Sequence, residues 1–230
     1  MTAFETIVAQ LKSLANPVNV AGMARFGIKA DNTLGISMPI LRAMARPHRK
    51  NHELALELWQ SGIHEARILA SLVDDPKKVT VEQMETWTVD FDSWDICDQV
   101  CSNLWEKTPY AYDKAVEWAR RDEEFVKRAG FVLMARSVVG GKKRLDPTQM
   151  GVIFSEIERG AADGRNYVKK AVSWALRQIG KSSLELNRQA IDTATKIAAF
   201  DAPSARWIAA DALRELKSDA VRQRLSARAK

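Results

Sequence analysis

Apolar residues recur every three or four positions along almost the whole chain, and strand-like alternation of apolar and polar positions is hard to find. The seven prolines fall where this helical pattern breaks: Pro17, Pro39, Pro47, Pro76, Pro109, Pro147 and Pro203. In Ser37-Met38-Pro39, Thr108-Pro109, Asp146-Pro147 and Asp201-Ala202-Pro203, the proline stands beside a plausible cap or in a first helical turn. Thr80-Val81-Glu82-Gln83 reads as a capping box. The pattern predicts roughly a dozen helices of about 8–17 residues joined by short turns. Residues 1–230 are expected to form one all-α domain.

Short segments echo one another along the chain. Val126-Lys127-Arg128-Ala129-Gly130-Phe131-Val132-Leu133 is similar to Val168-Lys169-Lys170-Ala171-Val172-Ser173-Trp174-Ala175, 42 residues later. Ala175-Leu176-Arg177 is similar to Ala212-Leu213-Arg214, a shift of 37. Helix pairs repeating every ~40 residues predict an α-solenoid of the HEAT or armadillo kind, with about six pairs. Such pairs bury their apolar faces only by stacking on one another, and the stack gains a concave wall.

Composition narrows the setting. The 230 residues are 46% hydrophobic and 28% charged, an ordinary balance for a globular protein. No stretch of about 18 uninterrupted apolar residues is present, so a transmembrane helix is not expected. Met1 to Lys12 carries Glu5 and no apolar block, so a secretory signal is not expected either. Cys97 and Cys101 make no disulfide framework and point to a reduced, cytoplasmic setting. The net charge is +6, unevenly spread: residues 1–115 hold 12 bases and 15 acids, and residues 116–230 hold 23 and 14. The second half therefore presents either a solvated basic surface or one that faces a polyanion.

Three helices carry candidate chemistry. On Asn166 to Lys181, Val168, Ala171, Val172, Ala175 and Ile179 cluster on one face, while Trp174 falls opposite with Lys170, Arg177 and Lys181. An indole among cations on a polar face either caps a groove between helices or meets a nucleic-acid sugar or base. On Ser93 to Glu106, Cys97, Val100, Cys101 and Leu104 form the apolar stripe, with Trp94, Asp98 and Trp105 on its shoulder. Trp94 and Asp98 are helical neighbours that offer one cation both a π-face and a negative charge. A plain ion pair and a Trp at the core margin fit that helix too. Glu124 to Val139 is apolar nearly all round and should be buried, so Arg128 within it needs a carboxylate or a phosphate. The Lys142-Lys143-Arg144 run reads as a loop. His48, His52 and His64 show no metal-binding register, and no P-loop, GxGxxG, HExxH or GxSxG motif is present.

Taken in order, several of these segments resemble one family. Phe26-Gly27-Ile28, Leu34-Gly35-Ile36-Ser37-Met38-Pro39 and Leu41-Arg42 resemble the N-terminal signature of the HEAT-like-repeat alkylpurine DNA glycosylases, the AlkD type. Ser93-Trp94-Asp95-Ile96-Cys97-Asp98 resembles that family's Trp-Asp-x-x-Asp segment, and Lys127-Arg128-Ala129 and Lys169 to Arg177 resemble two further blocks. The match runs from about residue 20 to about residue 215. The resemblance implies removal of cationic N7- and N3-alkylated purines from double-stranded DNA, without the base-flipping pocket usual for such enzymes; a monomer that needs no metal or organic cofactor is expected. It assigns Trp94, Trp174 and Asp98 to the lesion's deoxyribose and Arg128 to backbone phosphate. Lys170, Arg177 and Lys181, with Lys127, Lys169, Lys142 and Lys143, complete the expected DNA-binding set. Two other functions fit the same sequence: a non-catalytic member that recognises branched or distorted DNA by shape, and a protein-interaction scaffold.

Overall fold

A computed structural model describes residues 2–139 and 145–228. Among these, fourteen α-helices and no strands are present. They fall into two compact units, Met1–Thr108 and Pro109–Lys230. The first holds α1 (Ala3–Ser13), α2 (Pro17–Ala24), α3 (Met38–Ala45), α4 (His52–Gln60), α5 (His64–Val73), α6 (Val81–Val89) and α7 (Trp94–Asn103). The second holds α8 (Ala111–Trp118), α9 (Glu124–Val139), α10 (Pro147–Gly160), α11 (Asn166–Gly180), α12 (Leu184–Ala198), α13 (Pro203–Leu216) and α14 (Asp219–Arg228). Lys142, Lys143 and Arg144 lie outside the described residues.

Side chains explain several helix starts. Asp146 accepts from the Gln149 amide, while the Gln149 side chain accepts from Asp146 N, a complete capping box with Pro147 in the first turn. Asn16 accepts from Val18 N and Asn19 N ahead of α2. The box expected at Thr80 is half made. Thr80 accepts from Gln83 N at 3.1 Å, but the Gln83 amide donates to Asp74 at 2.7 Å. Asp74 is buried, which pushes its carboxyl above the usual range, and its charge needs the donors at Gln83 and His52.

Each unit is held by contacts between successive helix pairs. In the first, Trp59 Nε1 donates to Asp90 and Asn103 Nδ2 donates to Ser71 Oγ, spans of 31 and 32 residues. In the second, Ser173 Oγ donates to Asp211 and Arg177 Nη1 to Glu215, both spans of 38. The rings of Phe125 and Tyr167, 5.3 Å apart, mark the 42-residue echo as the step from α9 to α11. Helix α9 is buried along most of its length, as its all-round apolar pattern requires.

One expected grouping does not form. The helix carrying Trp94 and Asp98 stops at Asn103, because Leu104 leaves helical geometry at φ −126°, ψ −62°. The short turn Trp105–Lys107 then sends Trp105 inward, to 0% exposure. Its ring lies 5.5 Å from Trp87, which stacks on Trp59 at 4.1 Å. Trp105 therefore belongs to an aromatic column in the core and not to the shoulder of α7. Burying an indole outweighs one more turn of regular helix.

Helix α9 comes close to the end of α8 at Gly130, where an added Cβ would stand 2.4 Å from Ala119 N and 2.9 Å from Ala115 O. Gly130→Ala is expected to lower unfolding free energy by roughly 2–3 kcal/mol through overpacking. Gly151→Ala, in α10 with nothing within 4 Å, is expected to raise it by about 0.5–1 kcal/mol. Chemical denaturation of the two variants checks both signs.

Candidate nucleic-acid interface

In the first unit, the segment before α7 is extended at Ser93 (φ −150°, ψ 154°), and Trp94 opens the helix. Asp98 follows one turn later, so indole and carboxylate share one edge of α7. Both are half-buried. Trp94 Nε1 donates to the Phe26 carbonyl at 3.0 Å, which fixes the indole by its polar edge. Phe26 itself is 72% exposed. The chain turns there because Gly27 takes φ +78°, with its amide bonded to Ala24 O at 3.0 Å as α2 ends.

The loop that follows is organised by a residue the sequence reading passed over. Glu65 is 1% exposed, and its carboxylate accepts from Leu34 N (2.9 Å), Gly35 N (2.7 Å) and Ile36 N (3.2 Å). Three amides on one buried carboxylate hold the Leu34-Gly35-Ile36 signature in place. Gly35 has φ +77°, and a Cβ there would lie 2.5 Å from Asn16 O, so no larger residue fits.

The preceding residue ties this loop's anchor to α7. His64 Nε2 lies 2.8 Å from Asp95 Oδ2, and both are largely shielded from water. Burial lowers the His64 pKa, but the hydrogen bond and charge of Asp95, with Glu65 and Asp92 nearby, outweigh it and raise the imidazole above 6.5. Burial pushes the Asp95 carboxyl up, yet the His64 hydrogen bond and charge bring it below 3.8. The pair is thus an ion pair in mildly acidic solution, and it fixes the first turn of α7. The only sequence signal for it was an adjacent His-Glu at the head of a mostly apolar helix, and the partners lie 30 or so residues away on either side.

In the second unit, α11 presents Lys170 to solvent and leaves Trp174, Arg177 and Lys181 half-buried, while Val168, Ala171, Val172, Ala175 and Ile179 are buried, as the pattern predicts. With its amide oriented to satisfy both donors, Gln178 accepts from Trp174 Nε1 and from Lys181 Nζ, each at 3.2 Å. Several of the expected DNA-binding cations already hold protein anions. Arg177 bonds Glu215 at 2.6 Å and lies 3.2 Å from Asp211; Lys181 bonds Glu215 at 2.5 Å. Burial pushes the Glu215 carboxyl up, but these two cations bring it below its usual range. Lys127 sits 3.4 Å from Asp163, whose carboxyl Arg165 pulls down to about 2. Arg128, 8% exposed, donates to the Tyr167 carbonyl at 2.8 Å. None of Trp94, Asp98 and Trp174 is sealed in the interior.

The model of a family described as DNA alkylation repair enzymes matches residues 7–216. The chain belongs to that family. Two curated relatives from Listeria agree over a shorter stretch. Lin0241 of Listeria innocua is 28% identical and Lmo0209 of Listeria monocytogenes 26% identical, each over 142 residues. The match takes in 60% of this chain and 63% of each relative's length. A solved structure superposes with a TM-score of 0.80 over 97% of this chain and 96% of its own, at 18% identity. It is described as a new family of proteins related to the HEAT-like repeat DNA glycosylases with affinity for branched DNA structures. That likeness establishes the fold as the all-α HEAT-like repeat. No helix of the described residues is long and apolar enough to cross a membrane.

The His64–Asp95 pair sets a pH dependence. The raised pKa of His64 contributes stability that is full below pH 6.5 and is lost as pH rises through the folded-state value. The depressed Asp95 contributes above pH 3.8 and is lost as pH falls through its lowered value. Wild type should therefore exceed His64→Asn in denaturation midpoint most clearly at mildly acidic pH, with the gap narrowing in alkaline buffer. A gap independent of pH would show that the pair is not ionised as described.

Proposed function

We propose that this chain is a DNA glycosylase that hydrolyses the N-glycosidic bond of cationic N7- and N3-alkylated purines in duplex DNA. The observation that carries the reading is the edge of α7, where Asp98 follows Trp94 by one turn. The Trp94 N–H is bonded to the Phe26 carbonyl, so the indole offers its face and not its polar edge to a ligand.

An alkylated purine already carries positive charge and leaves without being protonated. As the C1′–N bond breaks, its electron pair neutralises the departing base and the sugar becomes oxocarbenium-like. The Asp98 carboxylate stabilises that charge and orients a water, whose oxygen bonds to C1′ and whose proton passes to solvent. The face of Trp94 adds cation–π stabilisation as the charge grows. Trp174 and Arg128 act in the roles the family resemblance gives them, on the deoxyribose and on phosphate. Exposed Lys170 adds attraction to phosphate that does not depend on sequence. Arg177 and Lys181, held by Glu215, contribute less than their charge suggests. The setting we propose is a monomer in the reducing cytoplasm, in keeping with the burial of Cys97 and Cys101.

A second reading, binding of branched DNA without excision, is supported by the description of the fold neighbour. One experiment separates the two. Duplex carrying N7-methylguanine is incubated with the protein, and free base is measured. The glycosylase reading expects release in the wild type and a loss of about 10²–10³-fold in Asp98→Asn with duplex binding retained. No release by the unmutated protein, alongside tight binding of a branched junction, would establish the second reading instead.

A further inference from the structure

Helices α11 and α13 are cross-linked at regular steps. Lys169 reaches Trp207, Ser173 reaches Asp211, and Arg177 reaches Glu215. Each contact moves four residues along both helices, so the two run side by side in the same direction with a register of 38. The first rung differs in kind from the other two. The Lys169 ammonium sits 4.8 Å from the centroid of the Trp207 ring, and Trp207 is 42% exposed.

An indole left in water is costly relative to burial, and α13 buries Ala205, Ile208, Ala209, Ala212 and Leu216. Trp207 instead lies on the outer stripe with Arg206, Ala210, Arg214 and Lys217, all exposed. Ala210, one turn on, adds no bulk beyond its Cβ. Arg206 pairs with Asp201 at 3.2 Å and Arg214 pairs with Asp211, but both arginines are open to solvent, and such pairs yield readily to a stronger anion. From Pro203 to Lys230 the sequence has seven Lys or Arg against three Asp or Glu. A ring among cations suits a nucleotide: a base for the π-face and phosphates for the charges. Bases inside a duplex hide their faces, whereas an unpaired base exposes one.

We propose that Trp207 is the stacking platform of a subsite for one unpaired nucleotide of DNA, with Lys169 and Arg206 binding its flanking phosphates. This deepens the reading of the chain as a DNA-binding repair protein and rests on it. The subsite takes no part in bond cleavage.

The test measures affinity, by fluorescence anisotropy at low salt, for a blunt duplex, the same duplex with a single-stranded thymidine tail, and free oligothymidine. The tail is expected to strengthen wild-type binding roughly tenfold, within the range of base–aromatic stacking. Trp207→Ala should abolish that gain and leave blunt-duplex affinity unchanged, whereas Trp207→Phe should keep most of it. No gain from the tail in the wild type, or a gain that survives in Trp207→Ala, overturns the subsite. Excision from blunt methylated duplex reports separately on the glycosylase reading, and Trp207→Ala should not alter it. If the blunt duplex does not bind at all, the repair reading fails on its own. Oligothymidine then decides the subsite: binding lost in Trp207→Ala upholds it, and no binding by the wild type overturns it.

Discussion

Two neighbouring side chains at the head of α5 hold the first unit's candidate edge in place. Glu65 gathers the amides of Leu34, Gly35 and Ile36, and His64 pairs with Asp95 in the first turn of α7. Charges this deeply buried are tolerated because each is matched by hydrogen bonds; removing one partner would strand the other. Through them, the loop after α2 and the start of α7 are fixed to the same helix. Trp94 then closes the arrangement by bonding to the Phe26 carbonyl. An indole fixed in this way needs little reorganisation when charge develops beside it, which is the condition for electrostatic stabilisation to be effective.

The second unit solves a different problem. Its helices stack by polar contacts, α11 on α13 at a register of 38, and the basic excess of this half is partly consumed in making them. Net charge therefore overstates the cations available to a polyanion. Some of those exposed to solvent, Lys170 on α11 and Arg206 and Arg214 on α13, share their helices' outer sides with Trp174 and Trp207. The charge asymmetry of the sequence becomes a narrower feature in the structure, a set of cations interleaved with indoles.

The all-helical fold was legible because amphipathic periodicity is local. Trp174 stood off the buried face of α11 for the same reason, and its half-exposure follows from residues within two turns of it. What the sequence did not reveal depends on partners distant along the chain. Half of the capping box at Thr80 was given up to Asp74, outside the box and nine residues before Gln83. The helix after Trp94 was cut short by the attraction of Trp105 to the Trp87 ring. Glu65 and the His64–Asp95 pair, which position the candidate site, join segments about 30 residues apart. The pairing of Arg177 and Lys181 with Glu215 was hidden in the same way: helix-wheel reasoning sees one helix at a time, and these anions belong to the next repeat.

An α7 edge that stabilises positive charge on a deoxyribose, as we propose, should favour a charged sugar over a neutral one. The most direct measurement is the relative affinity of the protein for two duplexes, one with a cationic aza-sugar at an abasic position and one with a neutral tetrahydrofuran there. The cation should bind at least tenfold tighter, with the preference lost in Asp98→Asn. Equal affinity for the two sugars, or a preference that Asp98→Asn leaves intact, would contradict it.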